Sequence, residues 1–115
     1  MGRPVVHFEI NAKDSKKMVK FYSTLFDWKI DTNNPMGYGL IETGGDGGIG
    51  GGIGQSSDAP NYLTVYVQVD DLQSYLDKAE KLGAKTLVPP TEIPNVVTFA
   101  MFQDPEGNTI GLLKG

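Results

Sequence analysis

The sequence predicts an α+β fold: two β-α-β-β-β modules whose curled mixed sheets form a cup, with the helices on the outer face. Two observations carry this. First, Val5-Val6-His7-Phe8-Glu9-Ile10 alternates at strand period, an amphipathic helix follows from about Asp14, and Trp28-Lys29-Ile30-Asp31 is extended. Second, the same order returns: Thr64-Val65-Tyr66-Val67-Gln68-Val69 is a strand, a helix follows from about Asp71, and Lys85-Thr86-Leu87-Val88 is extended. A unit of roughly fifty-five residues has little core of its own, so the two copies are expected to bury their apolar faces together. The chain is therefore read as one domain over residues 1–115, made of modules at about 1–55 and 61–115.

Each element has a local reason. In the first helix Met18, Phe21, Tyr22, Leu25 and Phe26 follow the i, i+3, i+4, i+7, i+8 spacing of an apolar face. Asp14 or Ser15 can cap its start by accepting from first-turn N–H groups. The second helix repeats this with Leu72, Tyr75, Leu76, Ala79 and Leu82, with Asp70 or Asp71 as cap and Gly83 at its left-handed end. Gly44 to Gly54 holds eight glycines, interrupted by Asp46, Ile49 and Ile53, and is read as a weaker copy of the chain's final hairpin. It serves either as a mobile hairpin over the cup or as a flexible connection. Ser56 to Pro60 links the modules. Asp104-Pro105-Glu106-Gly107-Asn108 is the turn of that final hairpin, with Gly107 at positive φ. Pairing Asp104 with Asn108 sets Gln103 opposite Thr109, Met101 opposite Gly111 and Phe99 opposite Leu113.

Composition excludes several functions. A formal charge of −4 without a basic run disfavours nucleic acid. The absence of cysteine removes disulfides, thiolate metal sites and thiol nucleophiles, and suits a reducing compartment. Neither a membrane-spanning stretch nor an apolar signal core is present, so a soluble, cytoplasmic protein without a membrane partner is expected. Gly45-Asp46-Gly47-Gly48-Ile49-Gly50 matches G-x-G-x-x-G, but more glycine follows where a dinucleotide site needs a helix N-terminus.

Strand parity points to candidate site residues. Val6, Phe8 and Ile10 form the apolar set facing the helices, which sends Val5, His7 and Glu9 into the cup. His7, the single histidine, is open to three readings. It is a polar wall residue hydrogen-bonded to Glu9 or a neighbour, a ligand-binding or acid–base group working with Glu9, or a metal ligand. By the same alternation Thr64, Tyr66 and Gln68 face the cup while Val65, Val67 and Val69 face the helix. The hairpin register adds Phe99 and Met101 as an apolar wall, with Gly111 leaving room beside Met101 for an organic ligand. The alternatives are packing against the opposite sheet, and a face turned to solvent or to a partner chain.

His7 followed by Phe21-Tyr22, then Leu25-Phe26-Asp27-Trp28, Val67-Gln68-Val69-Asp70-Asp71-Leu72 and Asp104-Pro105-Glu106-Gly107-Asn108, in this order over the whole chain, resembles the vicinal oxygen chelate superfamily. That superfamily includes glyoxalase I, bleomycin-resistance proteins and extradiol dioxygenases. The wording His7-Phe8-Glu9-Ile10 and Ile110-Gly111-Leu112 is most similar to small proteins related to lactoylglutathione lyase. The resemblance implies a divalent ion held by one residue from each of four strands, at His7, within Gly50 to Gly52, at Thr64 and at Gly111. Three of these positions lack a metal donor of the family's kind, so neither metal nor cofactor is expected. The expected function is a small-molecule binding protein or a metal-independent enzyme using His7, Glu9, Thr64, Tyr66, Gln68, Phe99 and Met101. The alternatives are a metal-dependent lyase or isomerase with relocated ligands such as His7, Glu9 and Glu42, and a ligand-free dimerisation module. The resemblance and the open sheet edges both imply a homodimer.

Overall fold

The computed structural model describes residues 2–56 and 61–115; residues 57–60 of the expected linker lie outside them. The elements run β1 (Val5–Ala12), α1 (Ser15–Phe26), β2 (Lys29–Asp31), β3 (Gly39–Glu42), β4 (Gly50–Gln55), β5 (Tyr62–Val69), α2 (Leu72–Lys81), β6 (Lys85–Ile93), β7 (Val97–Gln103) and β8 (Thr109–Lys114). The order β-α-β-β-β thus occurs twice, in an α+β fold. The chain packs as two compact units, one of His7–Thr64 and one of Met1–Val6 with Val65–Gly115. The division runs through β1 and β5.

In the unit His7–Thr64 the strand order is β2-β3-β4-β1. β4 lies parallel to β1 and antiparallel to β3, which in turn lies antiparallel to β2. Asp14 caps α1 by accepting from the Lys17 N–H at 3.1 Å, and Asp27, left-handed at φ 58°, ends it. One face of the sheet packs under α1, where Ile53 is fully enclosed, Ile41 is buried, and the Phe8 ring tilts against Trp28 at 5.7 Å. The helix is less buried than its spacing implies. Ser15 is its buried residue, whereas Phe21, Leu25 and Phe26 of the expected apolar face are 51%, 57% and 53% exposed.

The glycine run divides in two. Gly44, Gly45 and Gly47 have positive φ in the β3–β4 turn, and Gly50 to Gly54 lie in β4, with Gly51, Gly52 and Gly54 buried. This corrects the expectation of a mobile cover or plain connection for the second part. Glycine is required there by close approach: a Cβ at Gly51 would enter the Phe8 ring, and one at Gly52 would enter the Tyr38 hydroxyl.

The other unit repeats the topology as β5-β8-β7-β6, with β8 parallel to β5. The register expected from the final turn is observed: Gln103 faces Thr109, Met101 faces Gly111 and Phe99 faces Leu113. Asp104 fixes that turn by accepting from the Glu106 and Asn108 N–H groups and from the Asn108 amide, each at 2.9 Å. These bonds, the Asn108 amide first, hold its carboxyl below the usual range. Asp71 caps α2 by accepting from the Ser74 N–H at 3.1 Å. Ala84 N–H donates to the Ala79 carbonyl and Gly83 N–H to the Glu80 carbonyl, closing the helix with Gly83 at φ 103°. Val69, Leu72, Leu76, Ala100 and Leu112 make the core, with Val67, Tyr75 and Phe102 packed around it. Leu82, expected on the apolar face of α2, is exposed at its end. Pro4 joins this unit by accepting from the Gln68 N–H, and Arg3 by donating to the Tyr75 hydroxyl at 2.7 Å.

Candidate functional site

The most organised polar cluster found among the described residues lies in the unit His7–Thr64, on the face of its strands opposite α1. Alternation along β1 puts Phe8 on the helix side and His7, Glu9 and Asn11 on the other. Across the sheet, Glu9 stands beside Gly52 of β4, which stands beside Leu40 of β3. Because Gly52 has no side chain, Tyr38 folds over it and reaches β1. Its hydroxyl donates to Glu9 Oε1 at 2.8 Å and lies 3.1 Å from His7 Nε2. Asn11 Nδ2 donates to Glu9 Oε2 at 2.6 Å. The His7 and Tyr38 rings are near parallel, 19° apart with centroids at 6.5 Å.

Proton counting assigns the directions. The Tyr38 hydroxyl has one proton and gives it to Glu9, so towards His7 it acts as acceptor and His7 Nε2 carries the hydrogen. Burial pushes the His7 imidazole below its ordinary value, partly opposed by the charge of Glu9. At neutral pH the ring is therefore neutral, protonated on Nε2. Burial, and then the Glu9 charge, raise the Tyr62 phenol. The cluster thus joins a neutral imidazole, a phenol and a carboxylate in one hydrogen-bonded line, able to bind polar groups and to exchange protons.

Tyr38 is set by its own loop. Asn34 accepts from the Met36 and Tyr38 N–H groups at 3.2 and 3.0 Å and donates to the Tyr38 carbonyl at 2.7 Å. Gly37, at φ 65°, makes the bend that this ring of bonds needs. Sequence reading misses Tyr38 because it precedes β3 in a loop where period-two parity says nothing. The available signal was the glycine run itself: Gly52 on an inner strand means that something else occupies its side-chain space.

The other expected site residues fall as follows. Thr64 is buried in the same unit, only 3% exposed. Tyr66, Gln68, Phe99 and Met101 belong to the other unit. There Tyr66 and Met101 flank Gly111, and Gln68 and Phe99 flank Leu113. The room expected beside Met101 is already filled. A Cβ at Gly111 would enter the Tyr66 ring, so that glycine admits a tyrosine rather than a ligand.

Among the described residues, those at the family's metal positions do not fit a divalent ion. Among the described residues no three His, Cys, Asp or Glu side chains gather into a possible metal group. The relocated set of His7, Glu9 and Glu42 is therefore not assembled. Glu42 is on β3, paired with Lys29, and it edges an open recess with Lys29, Asp31 and Leu40. Gly52 and Gly111 offer no donor, and rings of Tyr38 and Tyr66 take their side-chain space.

Comparison with known proteins gives the relationship. Over an alignment of 109 positions the chain is 32% identical to a glyoxylase-like domain-containing protein of Didymella fabae, covering 88% of this chain and 85% of that one. A 55-residue stretch, 48% of this chain, is 38% identical to the putative glyoxylase CFP32 of Mycobacterium tuberculosis and spans only 21% of that protein. Among solved structures, hypothetical protein BH1468 of Bacillus halodurans C-125 superposes with a TM-score of 0.74 at 12% identity, covering 100% of this chain and 96% of that one. At that identity the likeness concerns the fold. No helix among the described residues is long and apolar enough to cross a membrane. Residues 5–112 match the model of one family, and the chain belongs to it: the Glyoxalase/Bleomycin resistance protein/Dioxygenase superfamily.

Proposed function

We propose that this chain binds a small organic molecule against the His7–Glu9 face of the unit His7–Thr64, as a binding protein or a metal-independent enzyme. The observation that carries this is the bonded line from His7 through Tyr38 to Glu9 and Asn11. A strand face that served packing alone would be apolar, since buried polar groups cost free energy unless each is paired. Here four polar side chains are ordered next to Leu40, which is 51% exposed, giving orienting groups beside apolar surface. The half-buried imidazole and the Glu9 carboxylate are the groups placed to exchange a proton with a bound molecule. Thr64 is a further proposed ligand contact in this unit, and Tyr66, Gln68, Phe99 and Met101 are proposed ligand contacts of the other unit taken by itself. A homodimer and a cytoplasmic location belong to the same reading. The first is supported by the exposed aromatic residues of α1, the second by the cysteine-free composition.

The test is a fragment screen by amide NMR on the ¹⁵N-labelled protein, with a defined library of neutral and anionic heteroaromatic acids and amides. Hits should shift the amides of His7, Glu9, Asn11 and Tyr38 together. His7→Ala should weaken each hit by roughly 1–3 kcal/mol, the usual cost of removing a buried polar partner. Hits that cluster elsewhere and ignore His7→Ala would overturn the assignment.

A further inference from the structure

We propose that Tyr38 is the positioning residue of this site, and that Tyr38 and Gly52 form a matched pair. The hydroxyl fixes the His7 proton on Nε2 and ties His7 to Glu9, and the bare Cα of Gly52 makes the room for it. This rests on the functional reading above and extends it to how the polar groups are held and to what ligand they admit.

Three independent features converge on Tyr38. The hydroxyl touches both chemistry-bearing side chains of β1, at 3.1 and 2.8 Å. Any side chain at position 52 would collide with that hydroxyl, so the geometry forbids the tyrosine and a donor at 52 from coexisting in this arrangement. Asn34 spends its carbonyl and its amide on the backbone of the loop, fixing the angle from which Tyr38 enters. The same device recurs in the other unit, where the Tyr66 ring covers Gly111. Glu9 and Tyr66 hold matching strand positions, each beside the glycine of its parallel neighbour, Gly52 and Gly111.

The consequence is chemical. A histidine and a glutamate close together can be organised by a shared cation, or by a group that donates to one and accepts from the other. Tyr38 does the second. The ligand class that fits is therefore an organic molecule recognised by hydrogen bonds, not a metal chelate.

His7 is the sole histidine, so its ring nitrogens give one unambiguous set of long-range ¹H–¹⁵N signals. The wild-type chain should show the neutral Nε2–H tautomer near neutral pH. Tyr38→Phe keeps the ring but removes the hydroxyl and should produce a mixture with a clearly raised Nδ1–H fraction. Gly52→Ala should give the same signature although the hydroxyl is still present, because the new methyl displaces it. Asn34→Ala should give a partial version. Amide dispersion reports folding, and if Tyr38→Phe unfolds the chain, Gly52→Ala and Asn34→Ala decide the matter. Adding Mn²⁺ to the wild-type protein should leave the His7 ring signals unbroadened.

A dominant Nδ1–H tautomer in the wild type, or unchanged signals in the folded variants, overturns the proposal. A change in Tyr38→Phe with none in Gly52→Ala overturns the matched pair. Specific broadening of His7 by Mn²⁺ overturns the ligand class. Absence of the Nε2–H signature from the wild-type chain with fragment binding intact defeats the role of Tyr38 and leaves the functional reading standing. Absence of fragment binding with the tautomer as expected does the reverse.

Discussion

At the scale of single residues, the contacts around β4 make stability depend on absent atoms. Phe8 lies where the Gly51 Cβ would be, on the packed side of the sheet, while Tyr38 lies over Gly52 on the other side. Overpacking a core costs about 1–3 kcal/mol when the neighbour must move. Gly51→Ala should fall in that range by urea unfolding, since Phe8 is already held against Trp28. A loss below about 0.5 kcal/mol, the range of ordinary surface changes, would contradict the packing described. Protonation gives a second expectation. The His7 value is lowered in the folded chain, by burial first, relative to the unfolded chain near 6.5. The unfolded state therefore takes up the proton first as pH falls, so this contribution is complete above about pH 6.5 and is lost on acidification through the folded value. Wild-type stability should fall more steeply below about pH 6.5 than that of His7→Gln; equal slopes would show that the ring titrates alike in both states. Only part of this was legible in the sequence. Alternation placed His7 and Glu9 on one face of β1, but the residue that joins them arrives from a loop, and a loop has no period to read.

At the scale of elements, the local signals that worked were those with a fixed stereochemical cause. The Asp-Pro-Glu-Gly-Asn turn determined the β7–β8 register because its geometry permits few pairings. The caps at Asp14 and Asp71 were narrowed to two candidates each for the same kind of reason. What the sequence could not supply was the depth at which each helix docks. The spacing of Phe21, Leu25 and Phe26 is that of a buried face, yet the buried side of α1 is centred nearer Ser15. Periodicity identifies an apolar stripe without saying what covers it. The glycine run misled for a related reason: glycine marks both mobile turns and close approach, and only three-dimensional contact separates them. Two substitutions probe α2. Asp71→Ala removes the bond to the Ser74 N–H and should cost about 1 kcal/mol, the usual value of such a cap. Leu76→Ala empties a position only 1% exposed in the core of its unit and should cost about 2–5 kcal/mol. Calorimetry showing the cap variant to be the worse of the two would reverse the assignment of where this helix draws its stability.

At the scale of the whole molecule, the surface of α1 is the feature that a monomer leaves unexplained. Phe21, Leu25 and Phe26 are each more than half exposed, and their neighbours are also aromatic: Phe21 meets Tyr22 edge-on at 5.0 Å, and Tyr22 and Phe26 both pack on Trp28. Single exposed apolar residues are ordinary, but a contiguous aromatic patch marks an interaction surface. A homodimer with α1 in the contact is the reading that uses this patch. Phe21 and Leu25 sit four residues apart on one side of the helix and would be its anchors, as exposed aromatic and aliphatic side chains are when a second chain desolvates them. Glutamate at both positions should cost each folded chain little, within about 0.5 kcal/mol for exposed sites. In the dimer it would bury charge without a partner, so the association should be lost. Sedimentation of the wild-type protein at micromolar concentration should therefore show a dimer, and the Phe21→Glu, Leu25→Glu chain a monomer with an unchanged melting temperature. A wild-type monomer would remove the proposal altogether. A dimer that survives both glutamates would move the contact away from α1, to the strand edges that the sequence alone had suggested.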